Sequence, residues 1–169
     1  ALKVAEKLER IRKSHAITLE AARFHTITTG TQYSPSGTRS ANFYADAGVT
    51  RFEKDLVLGT ATTEVGQLAQ EAVANIQDNV GNGEVVTGFV AFCSPLFFKK
   101  LTAQANIKQI WGTYSSQVEP FRNGFRSGQY QRFIHQGIEY IEVRGGYNGG
   151  SFIPAGDAYL VARGTDAFK

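Results

Sequence analysis

One cysteine and three histidines are the residues on which nucleophilic or metal chemistry in this chain would have to rest. A nucleophilic site needs a thiol or hydroxyl beside a positioned base. Cys93 and Ser94 are adjacent, but His15, His25 and His135 are distant from both in sequence. No nucleophile-elbow motif surrounds Ser94. Folding could still bring His135 to Cys93, which leaves a cysteine hydrolase open as an enzymatic reading. The histidines show neither His-x-x-x-His nor Glu-x-x-His spacing, so they offer no preformed metal-ligand pair. A lone cysteine excludes an intrachain disulfide and a cysteine-based metal cluster. Cys93 ends the apolar run Phe89-Val90-Ala91-Phe92 and is expected to be a small buried core residue.

Carboxylates are the next source of chemistry, because paired Asp and Glu do hydrolytic acid–base work. The candidates are Asp46, Glu53 and Asp55, and Glu139 with Glu142. The last two are three apart, so on a strand they point to opposite faces, and a solvated surface role is expected for them. Gly145-Gly146-Tyr147-Asn148-Gly149-Gly150 does not match Gly-x-Gly-x-x-Gly and lacks a Gly-Lys-Ser/Thr ending. It is expected to be a mobile surface turn. Lys99, Lys100, Lys108, Arg122, Arg126 and Arg132 are interleaved with Phe121, Phe125 and Tyr130. That mixture can hold single-stranded nucleic acid by charge and stacking. It is equally the composition of a protein–protein interface, where Arg and aromatic anchors dominate. The net charge of +3 gives the nucleic-acid reading little support and favours the interface. No catalytic residue, cofactor or metal is assigned, and the chain is expected not to be an enzyme.

The elements that must position these residues read as α+β. Residues 2–28 form one long helix, with Leu2, Ala5, Leu8 and Ile11, then Ala16, Leu19 and Ala22, as its apolar stripe and Gly30 as its stop. At 1.5 Å per residue that helix is about 40 Å long, so it must rest on something beyond the local core, or on another copy of itself. Residues 31–61 predict a hairpin or two-stranded ribbon, with Phe43, Ala45 and Ala47 on one strand and 50–58 on a second. Residues 63–79 form a helix with Thr63 as its cap. Residues 84–92 form a buried strand. Ser94-Pro95 opens a third helix as cap and first-turn proline, and a fourth runs from 103 or 106 to 114. A loop at 117–129, strands at 130–135 and 138–144 around Gln136-Gly137, and a short strand at 158–162 complete the chain. Hydrophobic residues are 42% and charged residues 20% of the 169, which suits a folded chain. No apolar stretch approaches the ~20 residues that span a bilayer. No signal peptide is visible. Methionine is absent, which is read as the mark of a processed, trimmed or partial chain.

Two sets of residues carry a resemblance. Gly88-Phe89-Val90-Ala91-Phe92-Cys93-Ser94-Pro95-Leu96-Phe97-Phe98-Lys99-Lys100-Leu101 resembles the phage major capsid protein E family, in which a strand ends in Cys-Ser-Pro before a Phe-Phe helix. The later run agrees: Gly137 to Gly145 as a strand, then Phe152-Ile153-Pro154-Ala155-Gly156-Asp157-Ala158-Tyr159-Leu160, then Gly164-Thr165. The resemblance is close over 85–168 and looser over 1–79. It implies a tailed-phage major-capsid fold: residues 1–61 as a peripheral domain of spine helix and β ribbon, residues 62–169 as a mixed α/β axial domain. It further implies a shell subunit whose partners are copies of itself in pentamers and hexamers, with scaffold, decoration or portal proteins. Packaged DNA would be met only non-specifically, with no membrane partner, in a virion assembled in the host cytoplasm. Phe121, Arg122, Phe125, Arg126 and Tyr147 are the residues expected near subunit contacts. A small single-stranded nucleic-acid-binding module using residues 117–132 is the rival reading.

Overall fold

The computed structural model describes residues 2–34, 38–81, 84–117 and 131–165. It is α+β and divides into two compact units. The first comprises residues 1–51 with 145–152, the second 52–144 with 153–169. Residues 52–61 go with the second unit, where Leu56 and Leu58 pack against its core.

In the first unit, α1 (Leu2–Thr29) is the expected long helix. Gly30 ends it in the left-handed region at φ 67°, with its N–H donating 2.8 Å to the Thr26 carbonyl. A Cβ there would run into the Tyr44 ring, so glycine is required for space as well as for φ. Val4, Leu8, Ile11 and Leu19 are all exposed. At 100° per residue these four fall within an arc of about 80°, whereas Ile17, also exposed, lies on the opposite side. Glu9 and Lys13 pair at 2.9 Å outside that arc. A short antiparallel hairpin follows, β1 (Thr31–Tyr33) with β2 (Arg39–Asn42).

The strand expected at Phe43, Ala45 and Ala47 is instead a one-turn helix, α2 (Phe43–Ala47). Local capping decides this. The Asn42 side chain accepts from the Ala45 N–H, Asp46 accepts from the Asn42 N–H at 2.8 Å, and Gly48 closes the turn at φ 64°. Residues 50–58 are not a strand either. They end in a turn in which Asp55 accepts from the Val57 N–H at 2.8 Å and Val57 sits at φ 45°, a region that β-branched residues rarely enter. The glycine-rich stretch, expected to be a mobile turn, is a tight hairpin of β6 (Gly146–Tyr147) and β7 (Gly150–Ser151). Asn148 and Gly149 both have positive φ, the signature of a type I′ turn. Phe152 beyond it stacks on Phe24 with centroids 5.1 Å apart.

The second unit is built on a four-stranded sheet in the order β4-β5-β3-β8. Its strands are β3 (Gly88–Cys93), β4 (Arg132–His135), β5 (Ile138–Glu142) and β8 (Ala158–Arg163). The central pair β3/β5 is parallel, and both edge strands run antiparallel to their neighbours. The parallel pair requires a crossover, supplied by α4 (Pro95–Ala103) and α5 (Ala105–Gln117). Gln136 and Gly137, both at positive φ, make the two-residue turn between β4 and β5. The helix α3 (Val65–Asn79) precedes β3. It starts after Glu64, which makes no side-chain cap bond. Thr63, the expected cap, instead uses its carbonyl to accept from Gln104 at 3.0 Å and Asn106 at 3.1 Å.

The strand registers put Phe89, Ala91 and Cys93 on one sheet face with Ile138, Tyr140 and Phe133. That face joins Val65, Ala69 and Val73 of α3, Phe97, Phe98 and Leu101 of α4 and Ile107 of α5 in one core. Trp111 meets Phe98 and Phe133 edge-on, at 5.7 and 5.3 Å. Such edge-to-face pairs match the positive edge of one ring to the negative face of another.

Candidate functional site

The two sequence motifs meet at Ser94. This residue is fully buried, and its side chain serves two segments 62 residues apart. Its Oγ accepts from the Phe97 N–H at 3.3 Å, capping α4, and from the Gly156 N–H at 3.0 Å. The Ser94 N–H donates 3.0 Å to the Asp157 carbonyl, and the Val143 N–H donates 2.9 Å to the Cys93 carbonyl. Cys-Ser-Pro and Phe-Ile-Pro-x-Gly are therefore two halves of one buried joint. Pro95 begins the helix where its missing N–H costs nothing.

Cys93 is as buried as its apolar context suggested. Its thiol contacts the Ala91 carbonyl at 3.4 Å, and burial raises its pKa, so thiolate is suppressed. The register sets it apart from His135. Cys93 lies opposite Glu142, whereas His135 lies opposite Ile138, four residues along β5. At 3.3 Å per residue they are about 13 Å apart along the sheet, too far for a dyad. His135 stacks on Phe133, and burial lowers its pKa.

Glu139 and Glu142 do point to opposite faces. Glu139 is bracketed by Arg132 at 3.4 Å and Arg163 at 2.8 Å, one from each edge strand. Glu142 departs from the expected solvated role: its side chain is 4% exposed. Its Oε1 accepts from Arg144 at 2.8 Å, which raises the Arg144 pKa, while its Oε2 has no hydrogen-bond partner among the described residues. This carboxylate lines an open cleft of about 370 Å³ between α4 and the carboxyl ends of β3 and β5. Pro95, Leu96 and Phe98 form its apolar wall, Thr102 and Gln131 its neutral polar side, and Lys99 and Arg144 bring positive charge. Strand carboxyl ends are a common place for pockets in sheets with parallel pairs. Sequence reading missed it, although Glu142 and Arg144 are two apart and so share a strand face.

Of the residues expected at subunit contacts, Tyr147 is on β6 and 48% exposed. Phe121, Arg122, Phe125 and Arg126 lie outside the described residues, as does the loop 118–130 around them. Asp46 is engaged in capping α2, Asp55 in the turn at Val57, and Lys54 pairs with Glu71. Among the described residues no group of three His, Cys, Asp or Glu is arranged to hold a metal, and no helix is long and apolar enough to cross a membrane.

Comparison with known proteins agrees with the motif evidence. The family model for phage major capsid protein E matches residues 1–169. A curated relative, the major capsid protein of Pseudomonas phage KPP10, is 36% identical over 179 residues, covering 96% of this chain and 51% of the relative. The chain thus spans about half the length of the curated relative it matches. On the match over its whole length, the chain belongs to the phage major capsid protein E family.

Proposed function

We propose that the chain forms part of a major capsid subunit that associates with copies of itself into pentameric and hexameric rings, and so into an icosahedral phage head around DNA. The observation that carries this reading is the family match across all 169 residues. A shell subunit needs no catalytic group. Its work is repeated contact, in which head-to-tail interfaces close into rings and modest contacts reinforce one another. The exposed apolar arc of α1 supports the reading, because a 28-residue helix carrying Val4, Leu8, Ile11 and Leu19 in solvent suits a further surface against it.

In this reading residues 1–61 are the peripheral region with its spine helix, residues 62–169 are the axial region, and the fold is that of tailed-phage capsid proteins. Phe121, Arg122, Phe125, Arg126 and Tyr147 lie near subunit contacts. Scaffold, decoration or portal proteins are further partners, DNA is met without sequence preference, and the product resides in the virion after assembly in the host cytoplasm. The test is negative-stain electron microscopy of the purified full-length protein. Closed shells are the expected result; a protein that stays monomeric under all conditions refutes the reading. Replacing the five contact residues together by alanine should abolish shells, and normal shells from that variant would remove them from the interface.

A further inference from the structure

We propose that the cleft beside Glu142 is a docking socket for a tyrosine of a second copy, with Tyr147 as the incoming side chain. This rests on the reading of the chain as a self-associating shell subunit. The socket has three chemical features. Its wall of Pro95, Leu96 and Phe98 is apolar. Glu142, only 3% exposed, holds an oxygen without a hydrogen-bond partner among the described residues. Lys99 and Arg144 are cations at the same cleft.

A buried acceptor left unmade carries a desolvation cost that an incoming donor removes. Oε2 itself has almost no accessible surface, so the carboxylate must turn toward the cleft to receive a donor, and the soft terminal torsion of a glutamate lets it do so. With two cations and one carboxylate present, a third cation is disfavoured, and an anion would meet Glu142 itself. A neutral donor on an apolar body fits instead. A tyrosine supplies the O–H for Oε2, ring area for the wall, and a π-face that attracts Lys99 and Arg144.

Two tyrosines are more than a third exposed among the described residues, Tyr33 and Tyr147. The Tyr33 ring already meets His25 edge-on at 5.0 Å. Tyr147 stands on a two-residue strand of a tight hairpin, half-exposed, as an interface anchor would.

The experiment measures the concentration at which the full-length protein forms particles, by sedimentation, for the wild type and for Tyr147→Phe, Glu142→Gln, the double variant and Tyr33→Phe. A hydrogen bond to a charged group is strong enough that Tyr147→Phe should raise that concentration about tenfold or more. Glu142→Gln should do the same, and the double variant should be no worse than the poorer single variant, because both remove one interaction. Tyr33→Phe should assemble as the wild type does. Thermal melts confirm folding, and Tyr147→Phe at an exposed position keeps the test decisive even if Glu142→Gln destabilises the fold. Wild-type assembly by Tyr147→Phe, additive effects in the double variant, or a loss on Tyr33→Phe in its place would each overturn the socket while leaving shell formation intact. A wild-type protein that forms no particles overturns the shell reading, and the socket with it.

Discussion

Ser94→Ala tests the buried joint most directly. Two backbone N–H groups, those of Phe97 and Gly156, donate to the one hydroxyl oxygen. Removing it costs the N-cap of α4, about 1 kcal/mol. It also strands the Gly156 N–H against a residue that is itself fully buried, costing about 1–3 kcal/mol more. The sum is about 2–4 kcal/mol, a large fraction of the roughly 5–15 kcal/mol that holds a folded chain together. Urea unfolding followed by the fluorescence of Trp111, the single tryptophan, measures it. That ring packs edge-on between Phe98 and Phe133 and so reports on the same core. Hydrogen exchange adds a second readout: the amides of Phe97 and Gly156 should both lose protection, although they are far apart in the chain. A loss below 1 kcal/mol, or faster exchange at Phe97 alone, would show that Ser94 caps a helix and does not join the two motifs.

Three further outcomes are expected. Val57→Asn should stabilise the protein by about 1 kcal/mol, because a β-branched residue at φ 45° is strained and asparagine tolerates that region; urea unfolding measures the change, and a destabilised variant would refute the strain. Iodoacetamide should leave Cys93 unmodified in the native protein and label it fully in urea, by mass spectrometry; native-state labelling on the timescale of a free thiol would contradict its burial and raised pKa. Stability should fall as pH drops below the ordinary histidine range near 6.5. The folded His135 has a pKa lowered by burial, so the unfolded state binds the extra proton first and gains from acid. His135→Asn should flatten that part of the pH profile of melting temperature, and an unchanged profile would discount the effect.

The parts of the fold legible in the sequence were those with strong local signals. The length of α1, the cap and proline that open α4, and the turn at Gln136-Gly137 all follow from side-chain chemistry at a few positions. The reading failed where the pattern was short. Phe43, Ala45 and Ala47 alternate as a strand would, but five residues cannot separate a period of 2 from one of 3.6, and the Asn42–Asp46 caps decided for helix. Glu142 was misread for a different reason. Burial of a charge depends on the strand's place in the sheet and on α4 beside it, neither of which is written locally. The Cys-Ser-Pro and Phe-Ile-Pro motifs were visible separately, but only the fold shows that one serine hydroxyl links them.

The membership of residues 145–152 in the first unit bears on how the chain folds as it is made. A ribosome delivers residues 1–51 early, yet the hairpin that completes that unit, with Phe152 for Phe24 to stack on, emerges roughly a hundred residues later. At typical synthesis rates that interval is on the order of 5–20 s. Through it the helix waits without its aromatic partner while the strands β3, β4 and β5 become available. The first unit can therefore finish only after most of the second has been made, and the second only when β8 follows; a nascent chain halted before residue 152 presents the first unit in an unfinished form.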